Sequence, residues 1–106
     1  MKLSVGERLV LLSILPGEGD FLTIKIIRQL RERLSFTEEE HKQYQFVQAE
    51  GRVSWQGGND SKPIEIGDKA NEVIVAALKK LDEAKLLRDE HYTLYEKFVE
   101  KHRDGS

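Results

Sequence analysis

The chain reads as an α+β domain: mostly helical, with about five helices and one small antiparallel β-hairpin between the third and the fourth. Three observations carry that expectation. Apolar residues recur at i, i+3, i+4 and i+7 in several segments; Ser4 with Glu7 and Thr37 with Glu40 place capping boxes at two helix starts; and between Tyr44 and Ile66 the apolar period shortens to two. At 106 residues the chain suits one domain, 1–106, with one core and frayed C-terminal residues 103–106.

Ser4 opens the first helix, in which Val5, Leu9, Leu12 and Leu15 form one stripe that Val10, Leu11 and Ile14 widen. Burial on more than one side is the expectation. Pro16-Gly17 ends it within a turn rich in breakers. Asp20 or Thr23 caps the second helix, which places Ile24, Ile27, Leu30 and Leu34 at helical spacing with Ile26 beside them. Its outer face, Lys25, Arg28, Gln29, Arg31, Glu32 and Arg33, is locally basic. Thr37 then opens a short third helix, about Thr37 to Gln43, whose first turn holds Glu38, Glu39 and Glu40 where the helix dipole favours negative charge.

From Tyr44 the pattern is that of strands: Tyr44 and Phe46, Val53 and Trp55, Ile64 and Ile66 share one parity. Gly57-Gly58-Asn59-Asp60 tolerates positive φ, so Arg52 to Gln56 is expected to pair with Lys62 to Ile66 across a mobile tip, with Tyr44 to Gln48 as an irregular third strand. An isolated hairpin is marginal in water, so its apolar face needs cover from the first and fourth helices. Asp68 caps the longest helix, with Ala70, Val73, Ile74, Ala77, Leu78 and Leu81 in regular register. Leu86 to Arg88 is the break, Asp89 the next cap, and the last helix sets His91, Leu94, Tyr95, Phe98 and His102 on one face, Tyr92 and Val99 alongside. The first, fourth and fifth helices are expected to supply most of the core. No internal repeat, low-complexity tract or domain linker is visible.

Composition narrows the function classes. The chain has no cysteine, which excludes disulfides, a thiol nucleophile and a thiolate metal site. With 17 basic and 19 acidic residues the net charge is −2, so no global field draws in polyanions. The N-terminal apolar run is broken by Glu7 and Arg8 and falls short of the ~20 residues of a membrane span. It reads as a core helix of a cytoplasmic protein with no membrane contact.

Two helices joined by the tight turn Ser35-Phe36-Thr37, with a ribbon downstream, have the element order of a winged helix-turn-helix. In such proteins the N-terminal residues of the second helix face base edges and phosphates. Here those residues are three glutamates, which a phosphate backbone repels, and specific DNA binding depends on basic contacts that release counterions. Nucleic acid is therefore a disfavoured partner, to be engaged only through Lys25, Arg28, Arg31 and Arg33. The plainer reading of that face is solvation, or ion pairing with the glutamates across the turn.

Catalytic constellations are not evident. His41, His91 and His102 lack metalloprotease spacing, no metal site is expected, and His91 reads as a half-buried helix residue near Asp89 and Glu90. Adjacent carboxylates are too common to signify, the glycines fit neither a dinucleotide nor a Walker frame, and the serines sit in no nucleophile elbow. No cofactor and no small-molecule substrate is implied. Trp55 reads as core because Val53 shares its parity, and becomes an interface anchor if the hairpin projects; Tyr44 shares that ambiguity.

The stretches "ERLVLLSILPGEGDF", "IIRQLRERLSFTEEE", "VSW" and "LYEKFVEK" resemble, across nearly the whole chain, small uncharacterised proteins of bacterial and phage or prophage genomes. That resemblance implies context only: a cytosolic accessory protein acting by contact with another macromolecule, with no activity to assign to particular residues. The expected function is accordingly a non-enzymatic protein–protein interaction or assembly domain, binding another protein or itself. Its candidate surface comprises Trp55, Tyr44 and the four basic residues of the second helix.

Overall fold

The computed structural model describes residues 1–58 and 60–100. Asn59 in the expected turn, His102, and residues 103–106, which were expected to fray, lie outside the described residues. In chain order the elements are β1 (Lys2–Ser4), α1 (Val5–Ile14), α2 (Phe21–Leu34), α3 (Glu38–Tyr44), β2 (Val47–Ala49), β3 (Arg52–Ser54), β4 (Ser61–Pro63), α4 (Asp68–Glu83) and a final helical stretch. That stretch runs from a 3₁₀ turn, Asp89–His91, through α5 (Tyr92–Tyr95) into a π-helical turn, Glu96–Glu100. The mostly helical α+β class is as the sequence predicts.

Both capping boxes form. Ser4 Oγ accepts from the Glu7 N–H at 3.1 Å while Glu7 returns to Ser4 N–H at 2.9 Å, and Thr37 with Glu40 repeats the exchange at 3.1 and 2.9 Å. Asp20, not Thr23, caps α2, accepting from Thr23 N–H at 2.8 Å. At α4 the cap position falls to Gly67, and Asp68 is the first helical residue, where the dipole still favours its charge. Arg88 rather than Asp89 precedes the last stretch, because the His91 ring turns back and its Nδ1 accepts the Arg88 N–H at 2.8 Å.

The strand pairing departs from expectation. β3 pairs antiparallel with β2, upstream, through a turn whose central residues Glu50 (φ 53°) and Gly51 (φ 75°) are both left-handed. That is the geometry that matches strand twist in a two-residue hairpin, so the hairpin closes at Glu50-Gly51 and not across Gly57 to Asp60. β4 instead crosses to β1, with Leu3 opposite Lys62. A three-residue strand ahead of a helix cap shows no period, which is why β1 leaves no trace in the sequence pattern. The hairpin still lies between the third and fourth helices.

One continuous core joins Leu3, Leu11, Leu15, Ile64 and Ile74 with Leu78, Leu94 and Phe98. Helix α2 contributes Ile27, Leu30 and Leu34, each at 3% exposure or less, so it equals α1 and α4 as a core element. Sequence reasoning undervalued it because its basic outer face lowers its mean apolarity, while burial depends only on the inner stripe. The first and last segments are tied together: Lys97 Nζ donates to Lys2 O at 3.0 Å and pairs with Glu7 Oε1 at 2.7 Å.

The largest side chain sealed from solvent is Arg8, 1% exposed on α1. Its Nε donates to Leu34 O at 3.1 Å and its Nη2 to Ser35 O at 2.7 Å, carbonyls left without helical partners at the end of α2. The other side of the fork reaches Glu40, with Nη1 at 2.6 Å and Nη2 at 3.3 Å, and the guanidinium lies 3.9 Å over the Phe36 ring. One residue thus fixes the α2–α3 turn to α1.

Replacing Arg8 by Met strands Glu40 and two carbonyls, and is expected to cost about 3 to 5 kcal/mol of unfolding free energy. Arg8→Lys should recover only part, because an ammonium lacks the planar fork. Lys85 adopts φ 59° just beyond α4, so Lys85→Gly should raise stability by about 1 kcal/mol. Urea denaturation of the three variants checks these signs.

Candidate functional site

The α2–α3 turn decides what the three glutamates do. Glu40 faces inward as the Arg8 partner, its side chain 15% exposed, with Lys62 Nζ at 3.6 Å on the other side. The Arg8 hydrogen bonds hold the Glu40 carboxyl at about 2 in the folded chain, against its ordinary 4.5. Glu38 and Glu39 remain exposed. The anionic tip is therefore two carboxylates rather than three, still of the wrong sign for a phosphate backbone. Glu7 is a second anion turned inward: burial pushes its carboxyl up, but hydrogen bonds from Lys97 and from Ser4 N–H outweigh that and leave it below its ordinary value.

On α2, Lys25, Arg28, Arg31 and Arg33 are all exposed. Arg33 donates to Glu65 O at 3.2 Å. The expected pairing of this face with the glutamates across the turn does not occur among the described residues; Arg8 and Lys62 take Glu40 instead. Arg8 comes from α1, where its buried guanidinium lies within hydrogen-bond reach of Glu40.

The hairpin is anchored by aromatic rings centred on Phe46. Its centroid lies 4.7 Å from Phe36, 5.5 Å from His41, 5.7 Å from Tyr44 and 6.4 Å from Trp55. Offset and edge contacts of this kind add about 0.5 to 1.5 kcal/mol per pair beyond the area they bury. Trp55 is half-buried in this satellite group and does not enter the main core, contrary to the parity argument, because β3 pairs with β2 and the hairpin projects from the helices. Tyr44 is buried at 5% exposure with its hydroxyl 3.3 Å from Asp60 Oδ2, which removes it from any contact surface. His91 is buried as well, at 6%, and serves the helix start described above rather than standing half-buried beside Asp89 and Glu90.

An apolar concavity lies elsewhere. A groove of about 750 Å³ runs between the end of α1, the start of α2 and the side of α4, where Ile14, Pro16, Val73, Ala77, Leu81 and Leu86 supply apolar lining. Leu86 is 61% exposed. Thr23 also lines the groove, and the two residues before it on α2, Phe21 and Leu22, are 84% and 59% exposed. Glu72 and Lys80 on α4 provide charge at the same groove, with Ala76 between them in sequence. Sequence reasoning assigned Val73, Ala77 and Leu81 to the core and passed over Phe21-Leu22. A signal existed: both residues fall off the Ile24–Ile27–Leu30–Leu34 stripe, so a helix starting at Phe21 has no inner place for them.

Among the described residues no three His, Asp or Glu side chains gather as a metal-binding group, and no helix is long and apolar enough to cross a membrane. The surface features described are an apolar groove beside α4 and exposed cations on α2.

The Arg8–Glu40 pair carries a pH signature. Because folding depresses the Glu40 pKa, its contribution is fully present above the ordinary value of 4.5 and is lost as pH falls toward about 2. Allowing for solvent screening, the loss is on the order of 1 to 2 kcal/mol. Urea midpoints measured between about pH 6 and about pH 3 should fall for the wild type by more than for Glu40→Gln. Comparison of the chain with protein-family models, with curated proteins and with solved structures returned no match.

Proposed function

We propose that the protein is a non-enzymatic interaction or assembly module whose contact surface is the groove beside α4. The observation that carries this reading is a preformed apolar groove with Leu86, 61% exposed, in its lining. Leaving such a side chain in water forgoes about 1.5 to 3 kcal/mol relative to burial, which a partner seated in the groove would recover. A groove bounded by three helices suits an amphipathic helix, which lays its apolar face between the walls. Trp55, half-buried on the projecting hairpin, offers a secondary contact. The setting of this proposal is a cytoplasmic accessory protein, of the bacterial or phage kind that the sequence resembles.

A second reading has its own support in the exposed cations Lys25, Arg28 and Arg31, which form no ion pair among the described residues. Nucleic acid bound there would meet Glu32 on the same helix and Glu38 and Glu39 across the turn, so the interaction reading is preferred.

Ala76→Arg, at an exposed position of the groove, should weaken binding to the partner, whether another chain or a second copy, at least tenfold, without lowering the urea midpoint. Charge reversal at Arg28 and Arg31 should leave that binding intact. Titration with short duplex and single-stranded DNA at low salt checks the alternative: salt-sensitive affinity that disappears in the Arg28→Glu, Arg31→Glu variant would replace the interaction reading.

A further inference from the structure

The outward face of α4 carries a charge pattern that reads as its own complement. With 3.6 residues per turn, Lys69, Glu72, Ala76, Lys80 and Glu83 fall within about 40° of one line along the helix, opposite the core stripe of Ala70, Ile74 and Leu78. In order the signs are plus, minus, neutral, plus, minus. Turned end for end about Ala76, Glu72 meets Lys80 and Lys69 meets Glu83, so each cation faces an anion. A two-fold axis through Ala76 therefore generates four opposite-charge contacts from one surface, the self-complementarity that an isologous interface requires. A parallel pairing in register would oppose like charges throughout.

We propose that the groove face of α4 is a homodimer interface in which two copies of α4 pack antiparallel, crossing at Ala76, with Glu72–Lys80 and Lys69–Glu83 pairs between protomers. This rests on the reading of the groove as a contact surface and names its occupant. Ala76 and Ala77 permit close approach of the helix axes, and Val73 lies on the groove side of the contact. The four charged residues are exposed, and among the described residues they form one ion pair within the chain, Lys69–Glu72 at 3.8 Å with both side chains about 70% exposed, of the weak surface type. Exchanging it for intermolecular pairs costs little. Helix α4 is ~24 Å long, so its strip alone falls short of the ~800 Å² per partner of a standard interface. Leu86 in the groove lining supplies further apolar area, and the dimer is weak and concentration-dependent.

Sedimentation equilibrium of the full chain from low micromolar to near millimolar concentration tests this, together with charge exchange. Glu72→Lys and Lys80→Glu should each raise the dissociation constant tenfold or more. An equimolar mixture of the two variants should dimerise, since every contact is again between opposite charges, and the double exchange within one chain should restore self-association. Both positions are exposed, so circular dichroism and the urea midpoint should stay at wild-type values. The chain has no cysteine, so Ala76→Cys introduces a unique thiol at the two-fold axis that should cross-link to its copy on oxidation. A dimer unaffected by both single reversals, or one that does not cross-link through Ala76→Cys, overturns the α4 pairing. A wild type that stays monomeric throughout also overturns it; if Ala76→Arg then abolishes binding of a different polypeptide, the groove reading survives alone, and if it abolishes nothing, both fall.

Discussion

A buried guanidinium organises this fold. Arg8 is held by α1 where water cannot reach it, so its charge and its donors must be met by protein groups or the helix could not pack there. The groups that meet it are the terminal carbonyls of α2, the carboxylate at the third position of α3 and the face of Phe36. Each comes from the connection between two helices that are distant in sequence from α1. The α2–α3 turn is thus set by the electrostatic demand of one side chain as much as by its own turn residues.

That demand shapes the surface that remains. Glu40, which a local reading assigns to an anionic tip, is consumed by Arg8 and Lys62, and Glu7 is consumed in the same way by Lys97. The cations of α2, deprived of those partners, stay in solvent. Formal charge near zero therefore conceals a separation: ion pairs at the junctions between elements, and cations along α2 that form no ion pair among the described residues. Buried pairs contribute more to the choice of one arrangement than to net stability, since the cost of desolvating both partners offsets most of their attraction.

Two clusters divide the apolar residues. The helices and the β1–β4 pair enclose the main core, while Phe46 gathers Phe36, His41, Tyr44 and Trp55 beneath the β2–β3 hairpin. The hairpin strands themselves bury little, so their position depends on that aromatic anchor. Phe21, Leu22 and Leu86 belong to neither cluster, and Leu86 is exposed in the lining of the α4 groove.

Local chemistry was sufficient in the sequence for the helical stripes and for the starts of α1, α2 and α3. Capping boxes depend on side chains three residues apart, and the stripes of α2 and α4 depend on a fixed helical period, so both were legible without knowledge of distant contacts. Tertiary structure alone decided which strands pair. Glu50-Gly51 and Gly57 to Asp60 both carry turn residues; the left-handed pair Glu50-Gly51 closes β2 on β3, and β4 pairs with the three-residue β1 instead. It also decided which charged residues turn inward, because Arg8 and Glu40 look like ordinary surface residues until α1 is laid across the α2–α3 turn. The groove was illegible for the same reason: Val73, Ala77 and Leu81 follow the core period of α4, and whether such residues face a neighbour or a gap is set by where α1 and α2 end.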